Sequence, residues 1–204
     1  MSFKYPSKFV YPEGQRIFFE DHIEVWEKLY EPFQGRPNVV LEIGSLYGAS
    51  AVFILETFCK DKDSHFYIMD INKTSFLEKN LEPYHGKFTF MQGESNASFR
   101  KISHQGSNKE FLDLVYIDGN HLSKYVLEDA VNAFYCLKEN GIMIFDDFGG
   151  GLEQPEHMRV MTAVESLLHS YGKYLKVIHQ GYQIFLQKVG YQDENELKEN
   201  YYTV

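Results

Sequence analysis

Cysteine is scarce in this chain, and the two it has, Cys59 and Cys136, stand 77 positions apart with no metal-ligand spacing. That excludes a disulfide scaffold and a zinc ribbon, and both read as buried, reduced thiols of a cytosolic protein. Long apolar runs are missing too: no stretch of about 18 uncharged apolar residues occurs, so no membrane span is expected. Lys4, Lys8 and Glu13 punctuate the first residues, and no apolar stretch of signal-peptide type follows them. Positive charge is in deficit. Twenty Lys and Arg face 29 Asp and Glu, a net charge of -9, which argues against nucleic acid or an anionic membrane as partner. The expected setting is cytoplasmic, and the expected partner a small molecule or a cation. Gly-x-Ser-x-Gly elbows, phosphate-loop lysine motifs and zinc patterns are absent as well.

What is present is aromatic and periodic. Phe and Tyr number 17 and 15, and their plain reading is core and surface packing. The 204 residues suit one domain with a sizeable core. We divide the chain into an N-terminal arm and helix (1–37), a main domain (38–190) and an acidic tail (191–204). Ile17, Phe18, Ile23, Trp26, Leu29, Tyr30 and Phe33 recur at helical spacing and predict a helix over 15–34. It either packs on the core or serves as a lid or homodimer contact.

From Val39 onward strands and helices alternate. The pattern predicts strands at 39–43, 65–69, 87–91, 112–117 and 142–145, with helices at 49–59, 74–81, 123–137 and 156–169. Residues 92–110 predict a loop with a short helix, and Asn140-Gly141 predicts a turn. A final strand pair, 174–178 and 182–187, surrounds Gln180-Gly181 and predicts a hairpin. The fold class that follows is α/β: a doubly wound, mostly parallel sheet of seven strands with a C-terminal antiparallel hairpin.

The placement of acids is the informative feature. Glu42 lies near the end of the first strand, Asp70 ends the second, Asp118 the fourth, and Asp146 and Asp147 the fifth. In a doubly wound sheet the carboxyl ends of the strands line one crevice, where ligands bind. Unpaired carboxylates in such a place cost several kcal/mol, roughly, so a cation or a donor-rich ligand is expected. Asp70 follows the glycine turn at the distance from which an acid accepts ribose hydroxyls, although it also suits a turn or helix cap. The turn itself, Gly44-Ser45-Leu46-Tyr47-Gly48, departs from the dinucleotide fingerprint. Leu46 stands where a second glycine would admit a pyrophosphate, so nicotinamide is disfavoured.

Residues 40–50, Val-Leu-Glu-Ile-Gly-Ser-Leu-Tyr-Gly-Ala-Ser, resemble the first motif of class I S-adenosylmethionine-dependent methyltransferases. The resemblance runs over about residues 38–188. It is nearest the branch of catechol, caffeoyl-coenzyme A and sugar O-methyltransferases, and it implies the Rossmann-like methyltransferase fold. By this resemblance Glu42, Gly44, Ser45 and Gly48 border the methionine part of the cofactor and Ser50 meets its carboxylate. Asp70 holds the ribose. Gly93, Glu94 and Ser95 form the loop beside the adenine, and Asp118 also borders the cofactor. Asp118, Asp146 and Asp147 fall where the branch binds a divalent metal, here Mg²⁺ first. Position 147 carries Asp where the branch commonly has Asn, which adds a negative charge.

His121, three residues after Asp118, takes the place of the catalytic base. Imidazole near neutral pH can take a proton from a hydroxyl. The expected activity is metal-dependent O-methylation of a small-molecule hydroxyl on a phenol, sugar or natural product. The alternatives are a metal-independent methyltransferase and a nucleoside-binding protein without catalysis. His157, with Glu153 and Glu156, reads as a solvated loop.

Overall fold

The structure, a computed structural model, describes residues 3–105 and 110–190, with the side chains of 103–105 left aside. The acidic tail falls outside the described residues. The chain forms two compact units, residues 1–94 and 95–204.

In the first unit the expected helix over 15–34 is broken into three pieces. A 3-10 turn at Phe18–His22 is followed by α1 (Ile23–Tyr30) and a second 3-10 turn at Glu31–Phe33. Pro32 explains the last break, because it lacks the amide that a helix interior needs. Ile23, Trp26 and Phe33 of the expected apolar face are buried, while Phe18 is exposed. Trp26 is fully enclosed, edge-on to Phe19, Phe53 and Phe58.

Strand β1 (Val39–Ile43) leads into α2 (Ala49–Glu56), β2 (His65–Asp70), α3 (Ser75–Leu81) and β3 (Phe88–Gln92). The three strands are parallel, in the order β3-β2-β1. Helix α2 is buried from Ser50 to Leu55, so it is a core helix with no solvent face. Each enclosed Val, Ile, Leu or Phe there contributes about 1.5–3 kcal/mol. Thr74 caps α3 by accepting the Leu77 amide, 3.1 Å away.

The N-terminal arm is part of this unit's packing. Phe3 meets Phe53, Tyr5 stacks on Phe9, Phe9 on Tyr11, and Tyr11 meets Tyr47 of the glycine turn. Asn80 fastens it. Its side chain accepts from the Val10 amide and donates to the Val10 and Tyr47 carbonyls, each at 2.8 Å.

The second unit begins with α4 (Ser95–Gln105), longer than the short helix expected. Then come β4 (Leu112–Ile117), α5 (Ser123–Cys136), β5 (Leu137–Phe145), α6 (Val160–Tyr171), β6 (Leu175–Gln180) and β7 (Ile184–Lys188). Strands β4 and β5 are parallel, and β7 and β6 add antiparallel, in the order β4-β5-β7-β6.

Several boundaries differ from expectation, and the helix expected over 49–59 ends at Glu56. Strand β5 starts at Leu137 and carries Asn140-Gly141 inside it. Leu112 pairs with Leu137 and Leu114 with Ile142, so the expected turn is absorbed as a bulge, with Asn140 at φ 65°. The helix expected over 156–169 is a 3-10 turn at Glu156–Met158 followed by α6. Cys59 and Cys136 are both free and buried. Among the described residues no helix is long and apolar enough to cross a membrane.

Candidate functional site

The candidate residues fall into two groups, one in each unit. In the first, Glu42 has no exposed surface, yet it lies within β1. Its two oxygens accept separate hydroxyls, Ser45 Oγ at 2.6 Å and Ser50 Oγ. Burial pushes its carboxyl up to about 7, while the two serine hydrogen bonds pull the other way and nearby Asp70 adds to the rise. The sequence reading gives the Ser50 hydroxyl to a ligand carboxylate; in the structure that hydroxyl donates to Glu42. A hydroxyl has one proton to donate, so any carboxylate here would be left to the amides of the first turn of α2.

Asp70 organises the same turn from the other side. Its Oδ2 accepts the amides of Ser45 (2.8 Å) and Leu46 (3.2 Å), and its Oδ1 accepts that of Asn72 (2.9 Å). The ribose and turn readings are thus not exclusive. An ionised carboxylate has about four acceptor sites, and three are met by backbone. Leu46 and Gly48 both take left-handed backbone, at φ 47° and 86°. A methyl at Gly48 would also come within 2.9 Å of Leu77 Cδ1. Leu46, whose amide Asp70 accepts, and Ile71, next to Asp70 in sequence, are exposed large apolar side chains (59% and 65%). Ile71 was missed by the sequence reading; its signal was an apolar residue directly after a strand-ending acid. At the end of β3 the Gly93 amide donates to the Asp70 carbonyl at 2.9 Å. Glu94 is exposed.

Ser95 opens the second unit and donates to Asp129, whose carboxyl is pushed up by burial to about 6. It is therefore engaged with α5.

The other acids gather at the ends of β4 and β5. The Asp146 amide donates to the Ile117 carbonyl at 3.0 Å, which sets Asp118 and Asp146 just beyond two paired parallel strands. Asp118, His121 and Asp147 each offer one ligand atom, and the three atoms lie within 4.8 Å of one another. His121 Nδ1 stands 3.0 Å from Asp147 Oδ2, and its Nε2 stands 3.8 Å from Asp118 Oδ1. Asp146 is turned elsewhere, with its Oδ1 accepting Gln183 Nε2 at 2.9 Å.

Three partners in this group had escaped the sequence reading. Buried Tyr116 donates to Asp118 Oδ2 at 3.1 Å. That contact was readable, since residues two apart on a strand share a face. Tyr182 donates to Asp147 and Gln183 to Asp146 from the turn between β6 and β7. Nothing local in the sequence joined them to residues 35 positions or more away.

A family model described as a methyltransferase domain matches residues 41–148, more than half of the chain. The chain belongs to the methyltransferase domain family. The resemblance of the glycine turn to class I S-adenosylmethionine-dependent methyltransferases is borne out by this match. Solved structures share the fold of this methyltransferase domain. One is the MycE methyltransferase of the mycinamycin biosynthetic pathway, in complex with Mg, SAH and mycinamycin VI. It is 18% identical with a TM-score of 0.65, over 85% of this chain and 50% of its own. Another is a provisionally assigned O-methyltransferase from Klebsiella pneumoniae, 15% identical with a TM-score of 0.66, over 88% of this chain and 84% of its own. A third is cofactor-bound Rv0187 from MTB, 15% identical with a TM-score of 0.64, over 87% and 83%. The chain thus spans about half the length of the MycE protein. At these identities the likeness is one of fold, and it bears out the doubly wound, mostly parallel seven-stranded class with its antiparallel hairpin. No curated protein matches the chain in sequence.

Proposed function

We propose that the chain transfers a methyl group from S-adenosylmethionine to a hydroxyl of a small molecule, with a divalent cation, Mg²⁺ first, at Asp118 and Asp147. The observation that carries the reading is the Asp118–His121–Asp147 group, which sets an imidazole beside two carboxylates at strand ends.

The residues of the first unit suit the methyl donor. Asp70 keeps acceptor capacity for a ribose hydroxyl while it holds the turn. Exposed Leu46 and Ile71 offer an apolar bed for a flat, uncharged base. Glu42, deep in β1, sets a negative potential behind the turn when ionised, which favours a cationic amino group. The dipole of α2 favours a carboxylate at its start. Bound S-adenosylmethionine supplies a methyl on a sulfonium, an electrophile that needs no further activation.

The residues of the second unit suit a hydroxyl acceptor. The carboxylates of Asp118 and Asp147 would hold one divalent ion through hard oxygen atoms, with His121 beside them. A cation there would lower the pKa of a hydroxyl oxygen. His121 Nδ1 is engaged by Asp147, so Nε2 is the nitrogen left to take the acceptor's proton. Asp118, fixed by Tyr116, stands near that nitrogen and favours the imidazolium formed by the transfer. The exposed apolar side chains Leu122 and Tyr125 follow directly and suit an acceptor with an apolar body.

A labelled-methyl transfer screen over phenols, sugars and natural-product hydroxyls, with and without chelator, tests the reading. Transfer that chelator abolishes and Mg²⁺ restores is expected. Transfer indifferent to chelator would leave the metal-independent alternative. Binding of S-adenosylhomocysteine without transfer to any acceptor would leave a nucleoside-binding protein.

A further inference from the structure

Tyr182 has no part in the reaction as drawn above, yet the glycine-rich bend after β5 is shaped around it. The Gly149 amide donates to the Tyr182 carbonyl at 2.9 Å. A methyl on Gly149 would stand 3.1 Å from Tyr182 Cα, and one on Gly150 would stand 3.1 Å from its hydroxyl. Two consecutive positions are therefore kept bare where the tyrosine passes. Its ring is half exposed (51%), but its hydroxyl is committed to Asp147 Oδ1. Asp147 is itself held in left-handed backbone, at φ 53°, and its carbonyl accepts the Gly150 amide at 3.0 Å. Non-glycine residues adopt that conformation when their surroundings impose it.

The chemistry of the trio is directional. Tyr182 O–H donates to one oxygen of Asp147, and the other oxygen lies 3.0 Å from His121 Nδ1. Two donors meet two acceptors on one planar group. Asparagine at 147 would turn an NH₂ towards one of these donors, whereas aspartate satisfies both. The negative charge added at 147 thus has a use besides a cation.

We propose that Tyr182 is a positioning residue for His121, acting through Asp147. Its hydroxyl fixes the plane of the Asp147 carboxylate, which holds the proton of neutral His121 on Nδ1 and leaves Nε2 as the accepting nitrogen. The proposal rests on the reading of His121 as the base. It is tested by a measurement that needs neither acceptor nor cofactor.

The measurement is nitrogen-15 NMR of the histidine rings in the full chain, at about pH 8.5, where an ordinary imidazole is neutral. His121 is assigned by the signal lost in His121→Asn. The wild type is expected to show His121 with its proton on Nδ1. Tyr182→Phe keeps the ring and removes the hydroxyl, and is expected to give a mixture of the two tautomers. Gly150→Ala, which crowds the hydroxyl, is expected to shift His121 the same way. In turnover, Tyr182→Phe should lower kcat roughly tenfold with the KM for S-adenosylmethionine unchanged. A His121 tautomer unchanged in Tyr182→Phe would overturn the proposal, even if kcat fell. If the tautomer shifts but no acceptor is methylated by the wild type, the positioning stands and the reading of the activity fails.

Discussion

Asp70 Oδ2 lies 2.8 Å from the amide nitrogen of Ser45, so a side chain at the end of β2 holds the backbone of the turn that leaves β1. The same oxygen takes the Leu46 amide, and Oδ1 takes that of Asn72. One carboxylate thus sets the shape of the turn, and it is the one given the ribose in the proposed reaction.

Asp70→Ala should therefore fail twice. It strips three backbone amides of their acceptor and should destabilise the protein by about 1–3 kcal/mol. It should also abolish the rise in Tm that S-adenosylhomocysteine gives the wild type. A thermal melt with and without ligand checks both. A full ligand-induced rise in the variant would remove Asp70 from the cofactor site.

Glu42 makes stability depend on pH in a direction opposite to that of most carboxylates. Its folded-state pKa is raised from 4.5 to about 7, so between those values the folded chain holds a proton that the unfolded chain has released. Stability should fall as pH rises from about 4.5 to 7, by a total on the order of a few kcal/mol. Glu42→Gln cannot titrate and should flatten that slope. Urea midpoints between pH 4.5 and 8 check it, and equal slopes in the two proteins would rule the effect out.

At the strand ends of the second unit, Asp118→Asn and Asp147→Asn should each weaken Mg²⁺ binding more than about tenfold, since each removes a charged ligand. Asp146→Asn should weaken it less, because the group whose ligand atoms lie within 4.8 Å of one another is Asp118, His121 and Asp147. Isothermal calorimetry with Mg²⁺ alone makes the comparison. Equal losses in all three would return Asp146 to the same rank as the other two.

Asn80→Ala should release the N-terminal arm. The side chain makes three hydrogen bonds, two to Val10 and one to Tyr47, and sits in a buried position. At about 0.5–1.5 kcal/mol each, the expected loss is roughly 2–4 kcal/mol. Protease cleavage within residues 3–11 should become faster, and mass spectrometry of the fragments reads it.

Much of this was legible in the sequence because it is local. Alternating apolar runs and turns gave the strands, and a single acid at the end of each of several strands gave the candidate site. Gly44-Ser45-Leu46-Tyr47-Gly48 was readable as a turn because left-handed backbone favours glycine. The misreadings have one cause, which is that distant partners decide local form. Asn140-Gly141 looks like a turn, but pairing of Leu112 with Leu137 and of Leu114 with Ile142 carries the strand through it. Tyr182 was invisible because its partner Asp147 is 35 positions away.

The fastening of the arm at Asn80 also sets an order of events during synthesis. Residues 3–11 leave the ribosome before Asn80, the residue that receives Val10 and lies 70 positions later. Until it emerges, Val10 lacks the two hydrogen bonds that fasten the arm to this unit. A nascent chain halted before residue 80 therefore carries an aromatic-rich arm without this fastening, and apolar surface left loose is where aggregation begins.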